Sequence, residues 1–185
     1  LSFAYNYRRT HNYENKYRAT GTNDKVGLDN YFLAFANGIQ FGRIKTYDNE
    51  TLSESYEYLG NNFGFPSQQA FLGYQGYVID PFDEIDLNNL YRSNSNPQKQ
   101  AVDHDFFVSN SGYNSKHSFN ISGQFKEKLY LGINLNSHYT EFKRIDRLTE
   151  FNYGSGSDFI STLFENDLNS IGSGFSFQIG AIYKL

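Results

Sequence analysis

Residues 128–142 read KLYLGINLNSHYTEF, and their alternation constrains the fold more than any other feature of the chain. Leu129, Leu131, Ile133 and Leu135 share one parity, while Lys128, Tyr130, Gly132, Asn134, Asn136 and His138 share the other. Successive side chains of a β-strand point to opposite faces, so this is a strand with one apolar and one polar side. The physical question is which side lies inside. A water-soluble β-protein buries the apolar face. A membrane barrel turns it out to lipid and keeps small polar residues in its interior.

Three more segments alternate in the same way. In LSFAYNYRR, Leu1, Phe3, Tyr5 and Tyr7 oppose Ser2, Ala4, Asn6 and Arg8. In HSFNISGQF, Phe119, Ile121 and Phe125 oppose Ser118, Asn120, Ser122 and Gln124. In IGSGFSFQIGAIYKL, Ile171, Phe175, Phe177, Ile179, Ala181, Tyr183 and Leu185 oppose Gly172, Gly174, Ser176, Gln178 and Gly180. The polar side is decisive. A sheet face washed by bulk water is usually rich in Lys, Glu and Thr, whereas here it is Ser, Asn, Gln and Gly, as suits a crowded lumen. Tyr5, Tyr7, Tyr139 and Tyr183 rim the apolar rows, as amphipathic rings do at a bilayer interface. The expectation is that Leu129, Leu131, Ile133, Leu135, Phe175, Phe177 and Ile179 face lipid. The alternative is a large β-sandwich with an aromatic core, secreted and binding carbohydrate through Tyr.

Composition narrows the classes. No apolar run approaches the ~20 residues of a membrane helix. Mean hydropathy is −0.63, but a membrane strand needs apolar residues only at alternate positions. The net charge of −4 and the absence of a basic stripe argue against a nucleic-acid partner. The lack of Cys excludes disulfides and thiolate metal sites. No basic-then-apolar leader is present, and strand patterns stand at both ends, which reads as a mature or partial segment of a longer protein.

The connections are unequal. Lys126-Glu127 alone joins two strands, whereas residues 143–168 hold a polar, Gly/Ser-rich stretch and residues 11–102 form a long insert. Membrane barrels pair short periplasmic turns with long extracellular loops. The expected strands are about 1–10, 103–125, 128–151 and 165–185, with 11–102 an extracellular helical insert. Within it, 29–42 has Phe32, Phe35, Ala36 and Ile39 at helical spacing with Gly38 as a stop. Thr51-Leu-Ser-Glu54 matches a capping box, with Gly60 after the last turn. Residues 67–81 place Phe71, Tyr74 and Val78 on one helical face with Leu72 and Ile79 beside it, ended by Asp80-Pro81.

Several candidate chemistries carry less weight than their ordinary readings. Asp80, Asp83, Glu84 and Asp86 fit no EF-hand spacing and read as a solvated acidic loop. In Asp103-His104-Asp105, alternation puts His104 on the opposite face from both acids. His117-Ser118 and His138 have no activating motif beside them. GSGS at 154–157 is a loop tip, and GSG at 172–174 sits in a strand. Arg8, Arg9, Lys116 and Arg144 near strand ends read as facing headgroups and water, the other reading being attraction of a ligand carboxylate. No catalytic residue, metal site or cofactor is expected.

Four strands do not close a membrane barrel, because an open edge leaves unpaired backbone groups in lipid. Either the chain is part of a larger barrel or several copies contribute four strands each. The chain resembles the FadL/TodX family of outer-membrane transport proteins. The resemblance lies in LSFAYNYRRT, YFLAFANGI, AFLGYQGYVIDPF, VSNSGYNSKHSFNISGQFKEKLYLGINL and SGFSFQIGAIYKL. It implies an all-β fold, an antiparallel transmembrane β-barrel of fourteen strands with short helices in the extracellular insert. It also implies an N-terminal hatch and passive uptake of fatty acids or aromatic hydrocarbons across a Gram-negative outer membrane. The expected capture groove comprises Phe32, Leu33, Phe35, Phe71, Leu72, Tyr74 and Val78. Expected partners are outer-membrane lipid and lipopolysaccharide, hydrophobic small molecules and other outer-membrane proteins. A second function is a structural or assembly subunit of an outer-membrane complex, with the insert as its docking surface.

Overall fold

Alternating residues, where they are long-range paired, become strands of up to 24 residues. The computed structural model describes residues 1–24, 26–47, 49–95 and 101–184, so Leu185 of the last apolar row lies outside the described residues. The elements run β1 (Ser2–Asn12), β2 (Asn15–Asn23), α1 (Leu28–Ala36), α2 (Phe41–Ile44), α3 (Leu52–Phe63), α4 (Phe65–Gln75), β3 (Ile79–Pro81), β4 (Tyr91–Ser93), β5 (Val102–Phe125), β6 (Leu129–Phe151) and β7 (Ser161–Tyr183). No helix among the described residues is long and apolar enough to cross a membrane, which says nothing of crossing by strands.

The chain divides into two units. The first contains 1–18, 107–147 and the chain from Glu165 onward, and is sheet. Its strand order is β1-β5-β6-β7, with β2 also pairing β5. β1 runs antiparallel to β5, from Ser2 opposite Ser122 to Asn12 opposite Tyr113, with a register shift between Arg9 and His11. The Tyr13 N–H continues the edge by donating to the Gly112 carbonyl at 3.0 Å. Gly112 has φ +112°, and a Cβ there would lie 2.1 Å from the Glu141 carbonyl oxygen, so the close approach requires glycine. β5 turns into β6 through Lys126 (φ +48°) and Glu127 (φ +56°), closed by Lys128 N–H to Phe125 O at 3.3 Å. Two successive positive φ values make this a type I′ turn, whose twist matches that of the strands.

The second unit contains 19–106 and 148–164. Its core gathers Leu28, Phe32 and Ala36 of α1, Phe41 and Ile44 of α2, Leu59 of α3, Ala70 and Phe71 of α4, with Val78, Ile79 and Tyr91. α1 and α4 meet at Gly73, where a Cβ would come within 2.6 Å of Phe32 Cβ. The Thr51 hydroxyl accepts from Glu54 N–H at 3.2 Å and the Glu54 carboxylate accepts from Thr51 N–H at 3.0 Å, so the capping box forms as read from the sequence. β3 and β4 form a two-stranded sheet, with Ile79 opposite Ser93 and Pro81 opposite Tyr91.

Several expectations are corrected. The insert begins later than residue 11, because β1 reaches Asn12 and β2 occupies Asn15–Asn23. The helix read over 29–42 stops where Gly38 was expected to stop it: α1 ends at Ala36, Asn37 caps it, Gly38 turns at φ +96°, and a separate short helix, α2, follows. α3 passes through Gly60 and stops at Gly64, φ +79°, because a glycine inside a helix costs only about 1 kcal/mol and local packing offsets it. The helix expected over 67–81 ends at Gln75: Tyr77 turns left-handed at φ +57°, and Ile79–Pro81 are strand. β7 begins at Ser161 rather than 165, which shortens the last connection.

Candidate functional site

The sheet unit presents two chemically distinct faces, each built from one parity of the strands. On the odd-numbered face Phe3 stands opposite Ile121 and Tyr5 opposite Phe119, the latter rings 5.0 Å apart. Leu131, Ile133 and Leu135 continue that face on β6, and Phe175, Phe177 and Ile179 on β7. All six are exposed, Ile133 at 45% and Phe175 at 69%; Leu129 is partly buried. Nothing among the described residues covers this row. Leu1, Ile121, Phe125, Leu131 and Ile133 line a shallow cleft of about 320 Å³ beside Gly123.

Aromatic and cationic groups mark the end of the apolar row. The Tyr7 and His117 rings lie 4.8 Å apart and those of Tyr113 and Tyr139 6.0 Å apart, while the Arg9 guanidinium sits 4.2 Å over Tyr113. At the β5–β6 turn, Lys126 Nζ lies 5.4 Å from the Phe125 ring centre.

The even-numbered face is a hydrogen-bonded polar layer. Ser118 Oγ donates to Asn136 Oδ1 at 2.7 Å, and Asn136 Nδ2 donates to Ser176 Oγ at 3.3 Å. His138 Nε2 shares a hydrogen bond with the same Ser176 hydroxyl at 2.9 Å, and Asn134 Nδ2 donates to Gln178 Oε1 at 3.2 Å. Asn136 is 2% exposed. A Cβ at Gly172 or Gly174 would have its nearest neighbour at 3.9 Å, so the sheet itself does not demand glycine there. These glycines keep the polar layer low. His117, bonded to Tyr5 Oη at 2.8 Å, belongs to the apolar face, so His117 and His138 lie on opposite faces.

The expected capture groove is corrected in its buried members. Phe32 (3% exposed), Phe71 (2%) and Val78 (5%) are core, closed against α1–α4 packing. A helical stripe of aromatics satisfies itself within the insert instead of waiting for a ligand. Leu33, Leu72 and Tyr74 pack partly buried on that core, and Phe35 stacks edge-on against Tyr31 at 5.0 Å and Phe65 at 5.6 Å. Tyr74 lines an open cleft of about 240 Å³ with Phe41, Lys45, Thr46, Gln75 and Tyr77.

Glu150 is the group that sequence reasoning missed. It is fully buried, and both carboxylate oxygens accept from the Leu28 N–H at 2.9 Å, at the first turn of α1. Tyr153 Oη donates to it at 2.8 Å, and His104 Nε2 lies 3.1 Å away but off the hydrogen-bond axis. Burial and the acceptor Glu150 push the Tyr153 phenol well above its ordinary pKa. Asp103 faces away from His104 and accepts from Thr22 and Asn152 at 2.6 Å each, which holds its carboxyl below the usual range. No cluster of metal-ligating side chains occurs among the described residues.

The acidic stretch is a fastened loop. Gly38, Phe41 and Gly42 donate backbone N–H groups to Asn89, Asn88 and Asp86 at 2.7–2.9 Å, and Lys45 pairs with the Asp86 carboxylate. The loop holds Phe82, Ile85, Leu87 and Leu90 exposed at 58–74%. Comparison of the chain with protein-family models, with curated proteins and with solved structures returns no match.

Proposed function

We propose that the chain supplies four membrane-crossing passes of a FadL-like outer-membrane β-barrel, a passive conduit for hydrophobic molecules. One observation carries the reading: the sheet has an exposed apolar face and a polar, hydrogen-bonded opposite face. On β6 the apolar row runs from Leu129 to Leu135 and, past Ser137, meets its rim at Tyr139, 11 residues in all, and a tilted strand needs about 9–11 to cross a bilayer. Tyr113, Tyr139 and Arg9 at one border, and Lys126 at the other, have the chemistry of an interface. β1 and β7 are edges, and each unpaired group costs several kcal/mol in lipid, so further strands complete the barrel. In this topology the Lys126-Glu127 turn is periplasmic and the helical insert extracellular. Transport is binding and diffusion with no covalent step; burial of the ligand's apolar surface contributes roughly 25 cal/mol per Å².

The test is full-length protein in lipid vesicles, titrated with a fluorescent long-chain alkyl or alkylaromatic probe. Saturable binding and probe transfer support the conduit. Their absence rejects it.

The hydrogen-bonded loop 82–90, with four exposed apolar side chains, favours a second reading, in which the barrel is an assembly subunit docking other outer-membrane proteins. A stoichiometric partner recovered from detergent-solubilised membranes, together with no probe binding, would select it.

A further inference from the structure

Tyr77 carries a bulky side chain in a backbone conformation that disfavours one. It follows Gly76, the C-cap of α4, at the position where a helix usually turns through glycine, and its φ is +57°. Tyr77 N–H donates to Tyr74 O and Val78 N–H to Gly73 O, both at 3.0 Å, and Asn94 Nδ2 donates to the Tyr77 carbonyl at 3.1 Å, which fixes the turn. Burial does not offset the strain, because Tyr77 is 76% exposed. Its side chain instead lines the cleft of about 240 Å³ together with Phe41, Lys45, Thr46, Tyr74 and Gln75. Phe41, 5% exposed, packs edge-on against Tyr74 at 5.1 Å, so three aromatic rings border one open space.

The field in this space is negative. Burial, then the carboxylates of Glu84 and Asp80, raise the Tyr74 phenol, and each carboxylate acts on it more strongly than Lys45, which opposes them. Lys45 is itself paired with Asp86. Arg92 stands opposite Asp80 in the β3–β4 register. Glu84 is exposed and in no ion pair among the described residues, so it sets the sign.

We infer that the cleft between Phe41, Tyr74 and Tyr77 binds a quaternary ammonium group, the headgroup chemistry of choline. Aromatic faces carry negative partial charge and attract such a cation without hydrogen bonds. The carboxylates are not among the lining groups, so they act on a cation through space, which suits a methylated ammonium with no N–H to donate. The site lies wholly in the helical unit, so the inference is independent of the conduit reading.

The experiment uses full-length protein in maltoside micelles free of choline lipids and follows the methyl proton signal of choline by NMR titration. The comparison ligand is 3,3-dimethylbutan-1-ol, which has the shape of choline without its charge. Wild type is expected to bind choline at least about fivefold more tightly than the alcohol. Tyr77→Gly is expected to weaken choline binding about fivefold while raising the denaturant midpoint, because glycine adopts the left-handed turn freely. Loss of binding is thereby separated from loss of fold. Tyr77→Phe keeps the ring and is expected to keep the affinity. Glu84→Gln is expected to weaken choline about twofold and leave the alcohol unchanged. Equal binding of the two ligands by wild type, no choline binding, or full choline affinity in a folded Tyr77→Gly variant overturns the inference. An unchanged ratio of choline to alcohol affinity in Glu84→Gln removes its electrostatic basis and overturns it as well.

Discussion

The backbone N–H of Leu28 reaches both oxygens of Glu150 at 2.9 Å, so a carboxylate from the end of β6 holds the first turn of α1. The Tyr153 hydroxyl shares that carboxylate. Glu150→Ala strands these donors in a buried space and is expected to destabilise the helical unit by about 3 kcal/mol. Glu150→Gln, which keeps one acceptor, should cost less. Hydrogen exchange at the α1 amides reads both, and unchanged protection in the Ala variant would refute the anchoring role.

Alkaline pH should loosen the same unit. Burial pushes the Tyr91 phenol up to about 12, and its hydroxyl donates to the Ile39 carbonyl at 2.9 Å. In the unfolded chain it ionises near its ordinary ~10. A folded pKa raised above the unfolded one gives stability that is whole below pH ~10 and is lost as pH rises toward ~12, at most about 2–3 kcal/mol for this residue. Tyr153 shifts in the same direction. Tyrosinate absorbance should therefore show at least two strongly late-ionising groups, Tyr91 and Tyr153, among 16 tyrosines, coincident with loss of helix. A single titration near 10 with helix retained would contradict it.

Charge placed on the two sheet faces should separate lipid from lumen. Ile133→Arg is expected to cost about 2–4 kcal/mol of stability in vesicles if the residue meets the bilayer middle. Gln178→Arg, on the polar face, should cost under about 1 kcal/mol. Denaturant unfolding from lipid measures both, and the reverse order would mean that the apolar row does not meet hydrocarbon.

The β5–β6 turn carries avoidable strain. Glu127 holds φ +56° without being glycine, a conformation that costs an ordinary residue roughly 1–2 kcal/mol. Glu127→Gly is expected to raise stability by about 1 kcal/mol, read as a higher denaturant midpoint. No gain would show that the neighbouring strands, rather than the turn residues, set this geometry.

Much of the strand content was legible because alternation is a local signal: the parity of Leu129 to Leu135 is visible in seven letters, and the Thr51–Glu54 cap in four. β2 escaped because NKYRATGTN sets only Tyr17 and Ala19 against polar neighbours, and it is strand through its pairing with β5. The insert misled in another way. Helical spacing correctly marked Phe32 and Phe71 as one-sided, but spacing does not say whether that side meets a ligand or another helix.

Sequence alone determined which side chains share a face, since peptide geometry throws neighbours to opposite sides of a strand whatever the chain later packs against. Tertiary structure alone decided which residues meet across the sheet and within the insert. That put Arg8 opposite Lys116, brought Glu150 to the start of α1 from 122 positions away, and spent Phe32 and Phe71 on the insert's own core. Such meetings depend on strand register and on closure of long loops, which no short stretch of letters encodes.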